Sequence, residues 1–353
     1  MNQPPPIDMV YTCVFGSHTL HQNMRNYYSV SSGAPIDLSQ EQRFRCSGEI
    51  YASIETVWKY TQWIRKIWVI VDDCQLRLFD HNQVSHPDKV HIIAHSTIFR
   101  AMTSHLPTYN SQAIETHLAD IPGLAELFMY ANDDTFFGSP CQWTDFYTKN
   151  TTSSTSSYYP KLLLSNHTLE TSATSLSPLW VHSRANNSKL LDLLNTTPQV
   201  RLSLIHQIRP MCKSLYREAW SHPLIIPSLT QTSSSKFRSL TDIEPVGLLL
   251  QWGLQRGLLQ VATGIKTFYI GIDNHLNLSQ LNLRPYHLYC LNDIMDNPSP
   301  ERLKEFQQWL KGDHVATPYQ RPSLRPPAPM KQTITLNQLF NALNNNNVSY
   351  KRR

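Results

Sequence analysis

One run, Leu106–Gly138 (LPTYNSQAIETHLADIPGLAELFMYANDDTFFG), restricts what this chain can become more than any other. Asn110 or Ser111 can cap a helix in which Ile114, Leu118 and Ile121 recur at helical spacing, and that helix carries a carboxylate, Glu115. Pro122-Gly123 breaks the run. Leu127–Ala131 then reads as a short buried strand, with Asn132-Asp133-Asp134 where the chain leaves the sheet. In open α/β sheets ligands bind beyond the carboxyl ends of the strands, so the acidic tip is where chemistry belongs. Two carboxylates there can hold a divalent cation, or one can take a proton from an attacking hydroxyl. A plain turn is the structural alternative, because Asn and Asp turn chains for local reasons.

The remainder of the first half repeats the alternation. Ile7–Val14, Ile67–Val71 and Val90–Ala94 are β-rich runs, and Gly48–Trp63 places Ile50, Ile54, Val57 and Trp58 on one helical face. Strands alternating with helices predict an α/β fold, a Rossmann-like, mostly parallel sheet with helical additions from the second half. There, Asn150–Ser157 is a low-complexity polar loop, and residues 161–195 carry no clear assignment. His206–Trp220 reads as a loop entering a helix. Thr241–Pro245 has the pattern of a capping box opening an apolar helix through Leu254. Thr267–Ile272 and Tyr286–Leu291 suit edge strands, and Ser299 starts a helix that stops at Gly312. The expected organisation is a catalytic domain over 7–312 and a proline- and asparagine-rich tail, partly disordered, over 313–353. Within the domain, 7–145 form the α/β core, 150–157 the polar loop and 160–312 a helical or α+β half.

The net charge of +5 is mild and concentrated near Arg321–Lys331 and Lys351–Arg353, which argues against a nucleic-acid footprint. Six cysteines lie far apart without a C-x-x-C pair, as reduced thiols do. The longest apolar stretch, Val246–Ile265, is interrupted by Gln251, Gln255, Arg256 and Gln260, and the amino-terminal MNQPPPID lacks a signal-peptide pattern. A cytoplasmic protein is expected.

Four segments, taken together, resemble the four blocks of the Stealth family of sugar-phosphate transferases. They are IDMVYTCVFGS; RFRCSGEI through WIRKIWVIVDD to LPTYNSQAIETHLADIPGLAELFMYANDDTFFG; HQIRPMCKSLYREAW with KFRSLTDIEP; and YCLNDIMD. The family includes bacterial capsule hexose-1-phosphate transferases and the catalytic core of the lysosomal-enzyme N-acetylglucosamine-1-phosphotransferase. The resemblance implies a glycosyltransferase-like fold and a hexose 1-phosphate moved from a nucleotide-diphospho-sugar, of the UDP-N-acetylhexosamine kind, to a glycan hydroxyl. It nominates Glu115, Asp134, His206 and Arg238 as catalytic. Asn110, Ser111, Asn132, Asn292 and Asp293 become substrate contacts, and Asp133 with Asp134 ligands for Mg²⁺ or Mn²⁺. It also implies peripheral association with export machinery at the inner membrane. These are side chains that phosphoryl transfer asks for: cations against spreading oxygen charge, and a carboxylate or imidazole for the acceptor's proton.

The first two blocks depart from the family pattern. Cys13 stands where Trp is usual, Phe15 and His18 where Asp is usual, and Cys46–Tyr51 where the family has an acidic run ending in Arg. Phe15 cannot bind a cation, and Tyr51 cannot neutralise a diphosphate as Arg does. These departures point to an altered donor pocket. Three alternatives stand beside the transferase reading: a metal-dependent glycosyltransferase releasing nucleoside diphosphate, a catalytically weakened glycan-binding member, and an interaction module acting through its basic tail.

Overall fold

The computed structural model describes residues 3–31, 42–149, 158–195, 201–281, 283 and 285–312. The loop expected at 150–157 and the tail expected beyond 312 lie outside the described residues.

The first strand, β1 (Ile7–Thr12), is buried along its whole length and sits at the centre of a five-stranded sheet. Its parallel neighbours are β2 (Ile64–Val71) on one side, followed by β3 (Val90–Ala94), and β4 (Leu127–Asn132) on the other. Such strands are covered on both faces, which is why they read as nearly continuous apolar runs. The chain moves outward through β2 and β3 and then crosses to the far side of β1. The crevice at this change of direction opens at the ends of β1 and β4, at Thr12 and Asn132.

A buried carboxylate stitches the centre of the sheet. Asp8 on β1 has no exposed surface. It accepts from Arg65 Nε at 2.8 Å and the Arg65 amino group at 2.7 Å, from Trp68 Nε1 at 3.0 Å and from the Ala125 amide at 2.9 Å. Arg65 and Trp68 lie on β2 and Ala125 leads into β4, so one side chain ties three strands together.

The helix expected over Gly48–Trp63 runs as α1 (Glu49–Tyr60), with Ile50, Ile54 and Val57 fully buried. Gly48 enters it with φ 98°, a left-handed conformation that favours glycine. The helix of the Leu106–Gly138 stretch is much shorter than its periodicity suggests: α2 is Ser111–Glu115, followed by a 3₁₀ turn at Leu118–Asp120. Trp220 Nε1 takes the carbonyl of Thr116 at 3.0 Å, and that packing replaces a further helical turn. Ile114, Leu118 and Ile121 are still buried together.

The second half holds three corrections. Arg209–Cys212, expected to be loop, is a strand, β6, lying antiparallel beside β4 at the sheet edge. Pro210 obscures it in the sequence, yet a proline is tolerated on an edge. Before β6, the chain turns back from β4 into β5 (Thr135–Phe137). The pair expected as edge strands forms a small sheet of β7 (Thr267–Ile272), β8 (Leu288–Asp293) and β5, in which β8 is the middle strand. The unassigned 161–195 region contains α3 (Leu179–Leu194).

Further helices include α4 (Ile226–Ser234), α5 (Pro245–Gln255) and α6 (Pro300–Leu310), the last capped by Ser299. No capping box opens α5, since Glu244 makes no side-chain cap there. No helix among the described residues is long and apolar enough to cross a membrane.

Candidate active site

Glu115 closes α2 with only 6% of its surface exposed. The Tyr130 hydroxyl donates to its Oε1 at 3.1 Å, lies 3.1 Å from Asn132 Oδ1 and is 3.1 Å from the Thr12 hydroxyl. These contacts join the tips of β1 and β4 to the helix. Burial pushes the Glu115 carboxyl up to about 7; Arg209 opposes the rise, Glu244 adds to it, and Arg238 and the Tyr130 bond oppose it. An unfolded chain ionises this group near 4.5. Between the two values the folded state holds a proton that the unfolded state has lost, so stability falls as pH rises across that window, by about 3 kcal/mol in all. Glutamine carries no such charge. Glu115→Gln is therefore expected to match its parent in thermal unfolding at about pH 4 and to exceed it at pH 8, with the gain following that titration.

Two guanidinium groups accompany this carboxylate. Arg209 on β6 is buried and lies 3.1 Å from Glu244 Oε1, while Arg184 on α3 lies 3.5 Å from Glu244 Oε2. Arg238 is on the loop between α4 and α5, ahead of the helix entry suggested by the sequence, and donates to the Ser111 hydroxyl at 3.0 Å. Burial lowers its pKa while Glu115 and Glu244 oppose that shift. Glu115 Oε2, Arg209 Nε and Arg238 Nε are all buried without a hydrogen-bond partner. Buried polar groups rarely go unsatisfied, so these three atoms mark a place prepared for something polar.

Asp242, assigned to a cap by its sequence context, instead holds the Arg238 loop in place. Its two oxygens accept from Asn110 Nδ2 at 2.9 Å, from the Ser239 amide at 2.8 Å and from the hydroxyls of Ser235 at 2.6 Å and Ser239 at 2.8 Å. Asn110 is fully buried, and its Oδ1 accepts from the Gln112 amide at 3.1 Å. Both ends of that amide are engaged within the protein. Asn110, expected among the substrate contacts, thus joins α2 to the Arg238 loop.

The acidic tip divides in two. Asp134 faces His206, whose Nε2 lies 3.7 Å from Oδ2, and Cys290 on β8, whose Sγ lies 3.3 Å from the same oxygen. Asp133 faces the other way, toward Cys13, Cys46 and Glu49, and burial raises its carboxyl well above the ordinary range, with Cys46 and Asp134 adding to the rise. Glu49 is pushed up to about 8, first by burial and then by Asp133. Of the remaining expected contacts, Asn292 donates to the Tyr269 hydroxyl at 2.8 Å, and Asp293 is paired with Arg45 at 2.6 Å.

The altered positions of the first and second blocks meet in space. Cys13, after β1, lies beside Cys46, and the Tyr51 hydroxyl accepts from the Asp80 amide at 3.0 Å. Gly16 lets this approach happen: a Cβ there would lie 1.5 Å from the Phe44 carbonyl oxygen. Changes at positions 13 and 46 are thus one change in one pocket wall.

Residues 43–155, which hold α1 through the acidic tip, match the family model for Stealth protein CR2, conserved region 2. About a third of the chain therefore resembles a Stealth conserved region. Similar relatives include the capsular polysaccharide phosphotransferase fcs1 of Haemophilus influenzae, 24% identical over 88% of this chain and 84% of the relative. The capsular polysaccharide phosphotransferase LcbA of Neisseria meningitidis is 28% identical over 82% of this chain and 78% of its own. Among solved structures, the galactosyltransferase LgtC aligns with this chain at TM-score 0.42 and 9% identity, over 86% of this chain and 95% of the other.

Sequence reasoning passed over Arg209, Asp242 and Arg45 at this site. Arg209 had a usable signal, since a cation within the short apolar run Ile208–Cys212 has to find a partner once buried. Asp242 and Arg45 acquire their partners only through the fold.

Proposed function

We propose that this chain transfers a hexose 1-phosphate, of the N-acetylhexosamine type, from a nucleotide-diphospho-sugar to a glycan hydroxyl, in the synthesis of a capsule or cell-surface polysaccharide. The names of the relatives support the reaction class. One observation carries the assignment to this site: Arg209 and Arg238 flank Glu115 at the same strand end that presents Asp134 and His206. Unpartnered guanidinium nitrogens in a low-dielectric recess suit an anion whose charge grows on phosphoryl oxygens during reaction.

In this reading the acceptor oxygen attacks the sugar-bearing phosphorus. A new oxygen–phosphorus bond forms, the bond to the nucleoside monophosphate breaks, and the acceptor proton passes to Asp134. His206 and Arg238 balance the phosphoryl charge, while Glu115 holds Arg209 and Arg238 in register. Mg²⁺ takes oxygen ligands, and beside Asp134 stand an imidazole and a thiol, so this group of side chains does not fit that ion and the diphosphate charge falls to His206 and the guanidinium groups.

Arg238→Lys is expected to lower turnover about 10²–10³-fold, as removing one oriented donor does, because an ammonium cannot reproduce the guanidinium fork. Steady-state rates over a donor series would check it. The central test is product identity, with a panel of UDP-sugars, Mg²⁺ and glycan acceptors. Release of UMP with a phosphodiester-linked product is the expected result. Release of UDP would assign ordinary glycosyl transfer, and donor binding without release would assign a glycan-binding protein.

A further inference from the structure

Among the described residues, one group of His, Cys, Asp and Glu side chains brings three ligand atoms within 4.8 Å of one another: Asp134, His206 and Cys290. They come from three separate places in the fold, the β4–β5 turn, the segment before β6 and strand β8. The measured spacings decide what they can hold. Bonds of about 2.0–2.3 Å to oxygen, nitrogen and sulfur in a tetrahedron place neighbouring ligand atoms about 3.3–3.6 Å apart. Asp134 Oδ2 lies 3.3 Å from Cys290 Sγ and 3.7 Å from His206 Nε2. Asp134 Oδ1 is buried and unpartnered. Cys290 is fully buried and His206 has 38% of its side chain exposed, which leaves one side open for a fourth ligand.

We propose that Asp134, His206 and Cys290 form a three-ligand oxygen, nitrogen and sulfur site for a borderline-soft divalent metal, Zn²⁺ or Co²⁺, in the nucleotide-free protein. A thiolate and an imidazole select such ions over Mg²⁺, which takes oxygen ligands and gives up its water reluctantly. As the metal binds, Cys290 releases its thiol proton to solvent and the sulfur lone pair forms the bond. Where the transferase reading above holds, the bound ion also takes Asp134 and His206 out of the reaction, so Zn²⁺ acts as an inhibitor.

The test uses the full-length protein without nucleotide or sugar, so its outcome is separate from that of the transferase assay. Co²⁺ is titrated in and followed by absorption. The expected result is a near-ultraviolet thiolate-to-cobalt band that saturates at one ion per chain. Zn²⁺ should displace it at least about a thousandfold more effectively than Mg²⁺. Cys290→Ser should abolish the band, with far-ultraviolet circular dichroism confirming the fold. His206→Ala, at a partly exposed position, should keep the band and weaken Co²⁺ at least about tenfold. Absence of a band in the parent protein would overturn the proposal. So would a band that survives Cys290→Ser, which would move the cobalt to another thiol such as Cys13 or Cys46.

Discussion

Asp134→Asn is expected to slow release of nucleoside monophosphate by about 10²–10⁴-fold, the usual contribution of a positioned base. The substitution is nearly isosteric. An asparagine oxygen can still accept from the Cys290 thiol and face His206, and the Asp134 carbonyl, which accepts from the Leu291 amide at 2.9 Å, is untouched. The lost property is the ability to take a proton. Donor affinity should therefore survive while turnover falls, a contrast that calorimetry and product analysis on the same preparation would measure. A fall in both together would instead point to a role in holding the donor. If turnover is retained, the proton acceptor is Glu115, and Glu115→Gln should then erase the limb of the pH profile near 7.

Asp8→Ala is expected to cost about 3–5 kcal/mol of folding stability, the range for removing one partner of a buried ion pair. Its place in that range follows from who is left behind. Arg65 has 41% of its side chain exposed and can turn to water, so its share is screened. The Trp68 indole and the Ala125 amide have no such escape, and each would carry a desolvation cost of about 1–3 kcal/mol. The lower half of the range is therefore expected. Urea unfolding would show a reduced midpoint with an unchanged slope, and Arg65→Ala should cost less than Asp8→Ala. Equal losses would shift the stabilising role from the strand stitch to the ion pair itself.

The parallel half of the fold was legible because β1, β2 and β4 are buried along most of their length and β3 at its two ends, and that requirement writes itself into apolar runs at Ile7–Thr12, Ile67–Val71, Val90–Ala94 and Leu127–Ala131. What escaped detection is where tertiary contacts override local pattern. The helical periodicity of Ile114, Leu118 and Ile121 records burial on one side, and a helical turn and a 3₁₀ turn meet that demand as well as a long helix would. Strand β6 is only Arg209–Cys212 and contains a proline, so nothing local marks it.

The candidate site shows the same division between local pattern and tertiary contact. Glu115, Asp134, His206 and Arg238 were nominated through motif resemblance; Glu115 lies beside Tyr130, Arg209 and Arg238, and Asp134 beside His206. Asn110 was legible as a helix cap, while its second partner, Asp242, lies far along the chain and leaves no local mark. The meeting of Cys13 with Cys46 was likewise invisible, although each was separately out of pattern.

The antiparallel edge strand has a consequence for synthesis. β4 receives its second partner only when β6 is made, eighty positions after Asn132. At about 5–20 residues per second, a ribosome leaves the hydrogen-bonding edge of β4 bare for about 4–16 s while β1 to β3 are already available to pair. An unpaired strand edge is a template for other chains. A nascent chain halted near residue 145 would thus carry a sticky sheet and no Arg209. The completed chain seals that edge with the same strand that delivers the arginine, so closing the aggregation-prone face and charging the anion recess happen in one step.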